Sequence, residues 1–168
     1  MAKRKVLLVD DEVSVLLTMK AVLEISGFDV DTAASAIDAK RKLKLREYQM
    51  VITDMRMESD AAGREVIAAA RTASYHPAVA LLTAFPLSDE DWQDMGADKM
   101  LVKPMQTVVL LQQIEKLLEA HSVKLARLAT AASAGAKKTP AKKAAPKRVA
   151  KKLPAKKVVV KKPKRRRG

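Results

Sequence analysis

Cysteine is absent from the 168 residues, so neither a disulfide framework nor a thiolate metal site is available, in keeping with a reducing interior. No apolar run approaches the roughly 18 residues that a membrane span needs. The basic start at Lys3, Arg4 and Lys5 leads into an apolar run that breaks at Asp10, which reads as a strand and not a signal peptide. Acidic residues are missing from residues 135 to 168, which hold 16 of the 33 Lys and Arg. Residues 1 to 134 then carry 17 basic against 19 acidic side chains, a net of −2, so the whole-chain charge of +14 conceals a slightly acidic domain joined to a tail of +16. A soluble, cytoplasmic and nucleoid-associated protein is the expectation.

What the chain does contain is an alternation of strand and helix signals. Lys5 to Val9 reads as the first strand. Val13 to Ser26 keeps helical spacing through Val15, Leu16, Met19, Val22, Leu23 and Ile25 until Gly27 stops it. Phe28 to Ala33 alternates apolar and acidic residues as an edge strand does. Ser35 is the expected N-cap of a helix reaching about Glu47, with Ile37, Leu43 and Leu45 facing inward. Met50 to Thr53 is the third strand, Glu58 to Gly63 a loop, and Arg64 to Thr72 the third helix. Ala78 to Leu82 follows His76-Pro77 as the fourth strand. A helix from Ser88 to Met95 opens with Asp89, Glu90 and Asp91, which suit the positive end of its dipole. Met100 to Val102 is the fifth strand.

The last helix begins near Met105 and is long. Leu111, Ile114, Leu118, His121, Leu125, Leu128 and Ala132 continue one stripe to about Ser133. Its second half is either a projecting spacer or a short dimer seam, the spacer being preferred. Five such units with short connections imply an α/β fold, a parallel sheet covered by helices on both faces. The domain reading is residues 1–122 for the folded domain, 123–134 for a helical extension and 135–168 for a disordered Lys-rich tail.

Three strand ends carry the chemistry. Val6-Leu7-Leu8-Val9 ends on Asp10, Asp11 and Glu12; Val51-Ile52-Thr53 ends on Asp54; Leu101-Val102 ends on Lys103-Pro104. If the first and third strands are neighbours, Asp10, Asp11 and Asp54 crowd together, and the usual remedy for that repulsion is a hard divalent cation held by oxygen. Magnesium suits such a site. Lys103 brings an ammonium to the same edge and Thr83 a hydroxyl. A carboxylate to attack, a metal, an ammonium and a hydroxyl are the parts a phosphoryl acceptor needs. Taken singly, each residue is as well explained as a turn, cap or solvated side chain; the ordered set is what points to a site. No second acid or His is placed as a general base, which argues against a metal hydrolase.

That set resembles the receiver domain of two-component response regulators. The matching pieces are Val6 to Glu12, Val51 to Met57, Leu81-Leu82-Thr83-Ala84, Gly96-Ala97-Asp98 and Leu101 to Pro104. The resemblance implies a flavodoxin-like (βα)5 sheet with strand order 2-1-3-4-5. It implies that Asp54 is the phosphoacceptor for a sensor histidine kinase or phosphotransfer protein. It further implies that Asp11, Asp54 and the Arg56 backbone carbonyl bind Mg²⁺, Asp10 acting partly through water, and that Thr83, Lys103 and the Ala84 backbone hold the phosphoryl oxygens. Such a domain is a regulatory phosphoacceptor and not an enzyme, beyond Mg-dependent self-phosphorylation from a donor and slow autodephosphorylation. Two departures stand beside the site. Glu58 replaces the usual proline, and the glycine that follows arrives one residue late, at Gly63, so a reshaped loop is expected. Met100 stands where a Tyr or Phe commonly swings inward once the threonine is drawn to phosphate. Met100 is therefore the candidate switch residue at that position, a departure that leaves the usual readout open, since a flexible Met can pack differently in two states.

The tail repeats basic pairs: Lys137-Lys138, Lys142-Lys143, Lys147-Arg148, Lys151-Lys152, Lys156-Lys157 and Lys161-Lys162, then Lys164, Arg165, Arg166 and Arg167, with four prolines between. It resembles, in composition, the Lys/Ala/Pro-rich tails of linker histones. A disordered polycation of this kind follows a phosphate backbone by counterion release, blind to base sequence. Without aromatics it cannot stack on single-stranded bases, so DNA is the expected partner, ahead of acidic proteins, anionic membrane or mere solubility. Phosphorylation at Asp54 would then alter self-association, as a homodimer, or tail availability. Two other readings stay open: an architectural nucleoid protein using an inactive receiver fold for dimerisation, and a stand-alone phosphorelay intermediate.

Overall fold

The computed structural model describes residues 3–135, and the 16 tail lysines and arginines named for nucleic-acid contact, Lys137 to Arg167, lie outside the described residues. Five strands, β1 (Lys5–Val9), β2 (Asp29–Ala33), β3 (Met50–Asp54), β4 (Ala78–Thr83) and β5 (Lys99–Val102), alternate with α1 (Val13–Ile25), α2 (Ala36–Leu45), α3 (Ala62–Thr72), α4 (Asp89–Asp94) and α5 (Thr107–Gly135). All pairings are parallel and the order is β2-β1-β3-β4-β5. Apolar except for Thr53, Asp54 and Thr83 at their ends, β3 and β4 are buried along their whole length, and the half-acidic β2 is an edge, as alternation demands.

Side chains leaving opposite faces of the sheet build two cores. Val6, Leu8, Met50 and Ile52 meet Leu16 and Leu23 of α1 and Leu110, Ile114 and Leu118 of α5. On the other face Leu7, Val9 and Val51 meet Ala36, Ala39 and Leu43 of α2 and Val66, Ile67 and Ala70 of α3. The inward face of α2 therefore differs from expectation. Ile37 and Leu45 are 76% and 73% exposed, and the buried stripe is Ala36, Ala39 and Leu43 at spacings of three and four. Alanine lets α2 approach the sheet and α3 closely, and a count of large apolar residues overlooks such a face. Ile25, the last of the apolar residues that keep helical spacing in α1, is likewise 87% exposed.

The third helix begins at Ala62, two residues ahead of the expected start, and takes Gly63 inside it. A Cβ on Gly63 would lie 2.6 Å from the Asp54 carbonyl oxygen and 2.7 Å from that of Met55. The glycine is what lets α3 start against the backbone that follows β3. In α5 the buried stripe runs Leu110, Ile114, Leu118, His121, so Leu110 and not Leu111 opens it. Among residues 122–131 only Leu125 is partly shielded, and Leu128 is 59% exposed. Residues 126–131 of α5 are exposed throughout.

At the root of that exposed stretch the His121 ring nitrogen Nε2 lies 2.7 Å from the His76 carbonyl oxygen, and Nδ1 3.8 Å from the Asp98 carboxylate. Asp98 also accepts from Arg71 (2.7 Å) and from the Val79 N–H (2.9 Å). Both His76 and Asp98 lie just before strands, so α5 is pinned at the N-terminal edge of the sheet. No helix among the described residues is long and apolar enough to cross a membrane.

Candidate phosphoacceptor site

Register alone gathers the site. Val9 pairs with Thr53, so Asp10 and Asp54, one residue further, come side by side at the C-terminal edge. Asp54 pairs with Leu82, which sets Thr83 next to it, and Thr83 pairs with Val102, which leaves Lys103 one step beyond. One carboxylate oxygen from each of Asp10, Asp11 and Asp54 lies within 4.8 Å of the others. Lys103 Nζ donates to Asp10 Oδ2 at 2.9 Å and stands 3.1 Å from Asp54 Oδ1. Asp10 Oδ1 accepts from the Glu12 N–H at 2.9 Å. Asp10 is 1% exposed and Asp54 9%, whereas Asp11 faces solvent.

The charges do not balance, and the protonation behaviour reflects it. Burial pushes the Asp54 carboxyl above its ordinary range; Lys103 pulls it down and Asp10 pushes it up further, and the net direction is upward. Burial alone would lower the Lys103 ammonium, but its hydrogen bonds to Asp10 and Asp54 and their charges outweigh that and raise it. The ammonium gains from both carboxylates it touches, whereas burial, with the Asp10 charge beside it, leaves the Asp54 carboxyl raised. A hard divalent cation on the same oxygens would supply the missing charge, and the donor set fits Mg²⁺.

Thr83 is fastened to the next loop: its hydroxyl donates to the Phe85 carbonyl at 2.8 Å and accepts from the Phe85 N–H at 3.1 Å. The Arg56 guanidinium lies over the Phe85 ring, 5.7 Å from its centre, and 3.8 Å from Asp60. Between them is a small cavity of about 100 Å³ lined by Asp54, Arg56, Thr83, Ala84, Phe85 and Lys103, with Met55. The expected residues Arg56 and Ala84 thus border the same space as Asp54. Met100 does not line it. Its sulfur accepts the Leu87 N–H at 3.4 Å, which ties β5 to the loop that Thr83 grips.

Glu58 and Phe85 were not legible as contributors. The Glu58 carboxylate accepts the Ala36 N–H at 2.7 Å, beside the Ser35 cap on the Asp38 N–H. The only hint in the sequence is an acid and a helix start far apart in the chain. Phe85, 66% exposed two residues after Thr83, is a large apolar side chain with no reason to face water except the arginine across the cavity mouth.

Comparison with known proteins agrees with this geometry. Residues 6–115 match the family model described as the response regulator receiver domain. The transcriptional regulatory protein CpxR homolog of Haemophilus influenzae is 34% identical over 119 residues, 68% of this chain and 50% of that protein. The chain therefore spans about half the length of that curated relative. The chemotaxis protein CheY4 of Vibrio cholerae superposes with a TM-score of 0.64 at 28% identity, over 69% of this chain and 99% of that one. The response regulator TrrA of Thermotoga maritima, solved in complex with Mg²⁺ and BeF, superposes at 0.61 with 30% identity over 68% of this chain and 98% of its own.

Proposed function

Because the chain belongs to the response regulator receiver domain family, we propose that Asp54 accepts a phosphoryl group from a histidine kinase or phosphotransfer protein and that the basic tail places the protein on DNA. The observation that carries the first half is Lys103 Nζ bridging Asp10 and Asp54 inside a cluster of three carboxylates. The free oxygen of Asp54 attacks phosphorus, the P–N bond to the donor imidazole breaks, the imidazole leaves with its electron pair, and an acyl phosphate remains. Lys103 exchanges an Asp54 oxygen for a phosphoryl oxygen. Thr83 exchanges its Phe85 partners for another, and the Ala84 backbone lies beside it. Asp11, Asp54 and the Arg56 carbonyl would hold Mg²⁺, with Asp10 as an outer partner; the ion supplies charge neutralisation at the phosphoryl oxygens. Residues 1–122 form the receiver, 123–134 a helical spacer and 135–168 the polycation.

If about half of the tail charges meet phosphates, log affinity falls with log salt at a slope of about −7. Incubation with a small-molecule phosphodonor and Mg²⁺ should label the protein on Asp54, and chelation of the metal should stop it. Titration of both forms onto duplex DNA then tests whether phosphorylation alters occupancy. Absence of label, or label surviving Asp54→Asn, rejects the signalling half. The lack of an aromatic at Met100 favours one other reading, an architectural protein whose receiver fold serves for dimerisation; there Asp54→Asn leaves DNA binding and its regulation unchanged.

A further inference from the structure

The two edges of the sheet carry opposite electrostatics. The C-terminal edge collects Asp10, Asp11, Glu12, Asp54 and Glu58, and the exposed α4 adds Asp89, Glu90 and Asp91. The N-terminal edge carries exposed Lys3, Arg4 and Lys5 at the start of β1 and half-buried Lys99 at the start of β5, against the exposed acid Asp29, opposite Lys5 at the start of β2. The exposed stretch of α5 emerges there, with Lys124, 64% exposed, and Arg127. Arg4 shares one groove of about 540 Å³ with His121, Ser122 and Leu125 of α5, so the basic start of β1 and the root of the projection are neighbours. Glu47 and Glu119 border that groove, and Asp98 is engaged by Arg71 and Lys124. From Ser122 to Gly135 the helix contains no acid and extends about 21 Å at 1.5 Å per residue. The 33 residues that follow it hold the 16 tail cations.

We propose that the N-terminal edge and the projecting half of α5 form a phosphate-backbone surface for duplex nucleic acid, which holds the protein with the Asp54 edge turned away. This rests on the nucleic-acid reading of the tail. A polyanion is repelled from the carboxylate edge over a Debye length of about 8 Å at physiological salt. The polycation leaves the domain at the opposite end, so the duplex it gathers meets Lys124 and Arg127 first. A phosphodonor then reaches Asp54 while the protein is on DNA.

The test uses the full chain, a Lys124→Gln/Arg127→Gln variant and, as a tail control, Lys164→Gln/Arg165→Gln, titrated onto a duplex of about 30 base pairs across a salt series. The helix variant should lose about 2 from the salt slope and the tail variant about 1, because only about half of the tail charges are engaged. Phosphoryl incorporation at Asp54 should be the same with and without saturating duplex. A helix variant with an unchanged slope, beside a tail variant that loses its share, overturns the surface and leaves the tail acting alone. Blocked phosphorylation on DNA overturns the orientation. An unaltered chain that ignores duplex but binds vesicles containing anionic lipid overturns the nucleic-acid reading itself, a separate outcome.

Discussion

Glu58 and Ala36 are joined by a hydrogen bond of 2.7 Å, the carboxylate accepting the backbone N–H in the first turn of α2. Proline at position 58 would restrict the loop after Met57 through its ring. Here the restraint is an acid held by an orphan N–H and the positive end of a helix dipole. Glu58→Ala should cost about 1 kcal/mol of stability and weaken Mg²⁺ binding severalfold, because the loop bearing the Arg56 carbonyl loses its tether. Denaturant melts and a calorimetric Mg²⁺ titration check both; unchanged metal affinity would show that the tether serves α2 alone.

Asp54 carries a stability cost that depends on pH. Its folded pKa is raised above the ordinary 3.8, so just above that value the folded state binds more protons than the unfolded one. Stability contributed by this group falls as pH rises through that window. At neutral pH without metal, Asp54→Asn should therefore melt higher by a few degrees. The gain should shrink as pH is lowered towards 4 and vanish on adding Mg²⁺ to the parent. A lower melting temperature for the variant at neutral pH would contradict the crowding of charge at the site.

Gly63 has no room for a methyl group, since the nearest atoms to its absent Cβ are carbonyl oxygens of Asp54 and Met55 and not movable side chains. Gly63→Ala should cost about 2 kcal/mol, shifting the urea midpoint without changing the slope. Phosphoryl incorporation should drop with it, as the displaced backbone belongs to the acceptor itself. Gly27 meets nothing within 4 Å but has φ +91, so Gly27→Ala should lose stability from backbone strain and keep phosphorylation.

Met100 holds the Leu87 N–H through sulfur. Met100→Leu keeps the volume and removes the acceptor, so amide exchange at Leu87 should quicken severalfold while global stability moves by less than about 1 kcal/mol. If Thr83 must release Phe85 to reach a phosphoryl group, the looser loop should also speed labelling of Asp54. Equal exchange at Leu87 in the two proteins would dismiss the sulfur contact.

The alternation of apolar runs with amphipathic segments by itself determined the βα repeat, the parallel sheet and its buried and edge strands, because a strand covered on both faces must be apolar throughout. It also determined that Asp10, Asp54, Thr83 and Lys103 share one edge, since each follows a strand directly. Only the tertiary structure decided how they touch: that Lys103 spans two carboxylates, that Thr83 holds Phe85, and that Met100 sulfur accepts the Leu87 N–H. It also decided that alanines and not Ile37 or Leu45 face inward on α2, and that Glu58 caps a helix 22 residues before it in the chain. Side-chain reach and close approach of elements depend on distances between distant segments, and local periodicity carries no measure of those distances.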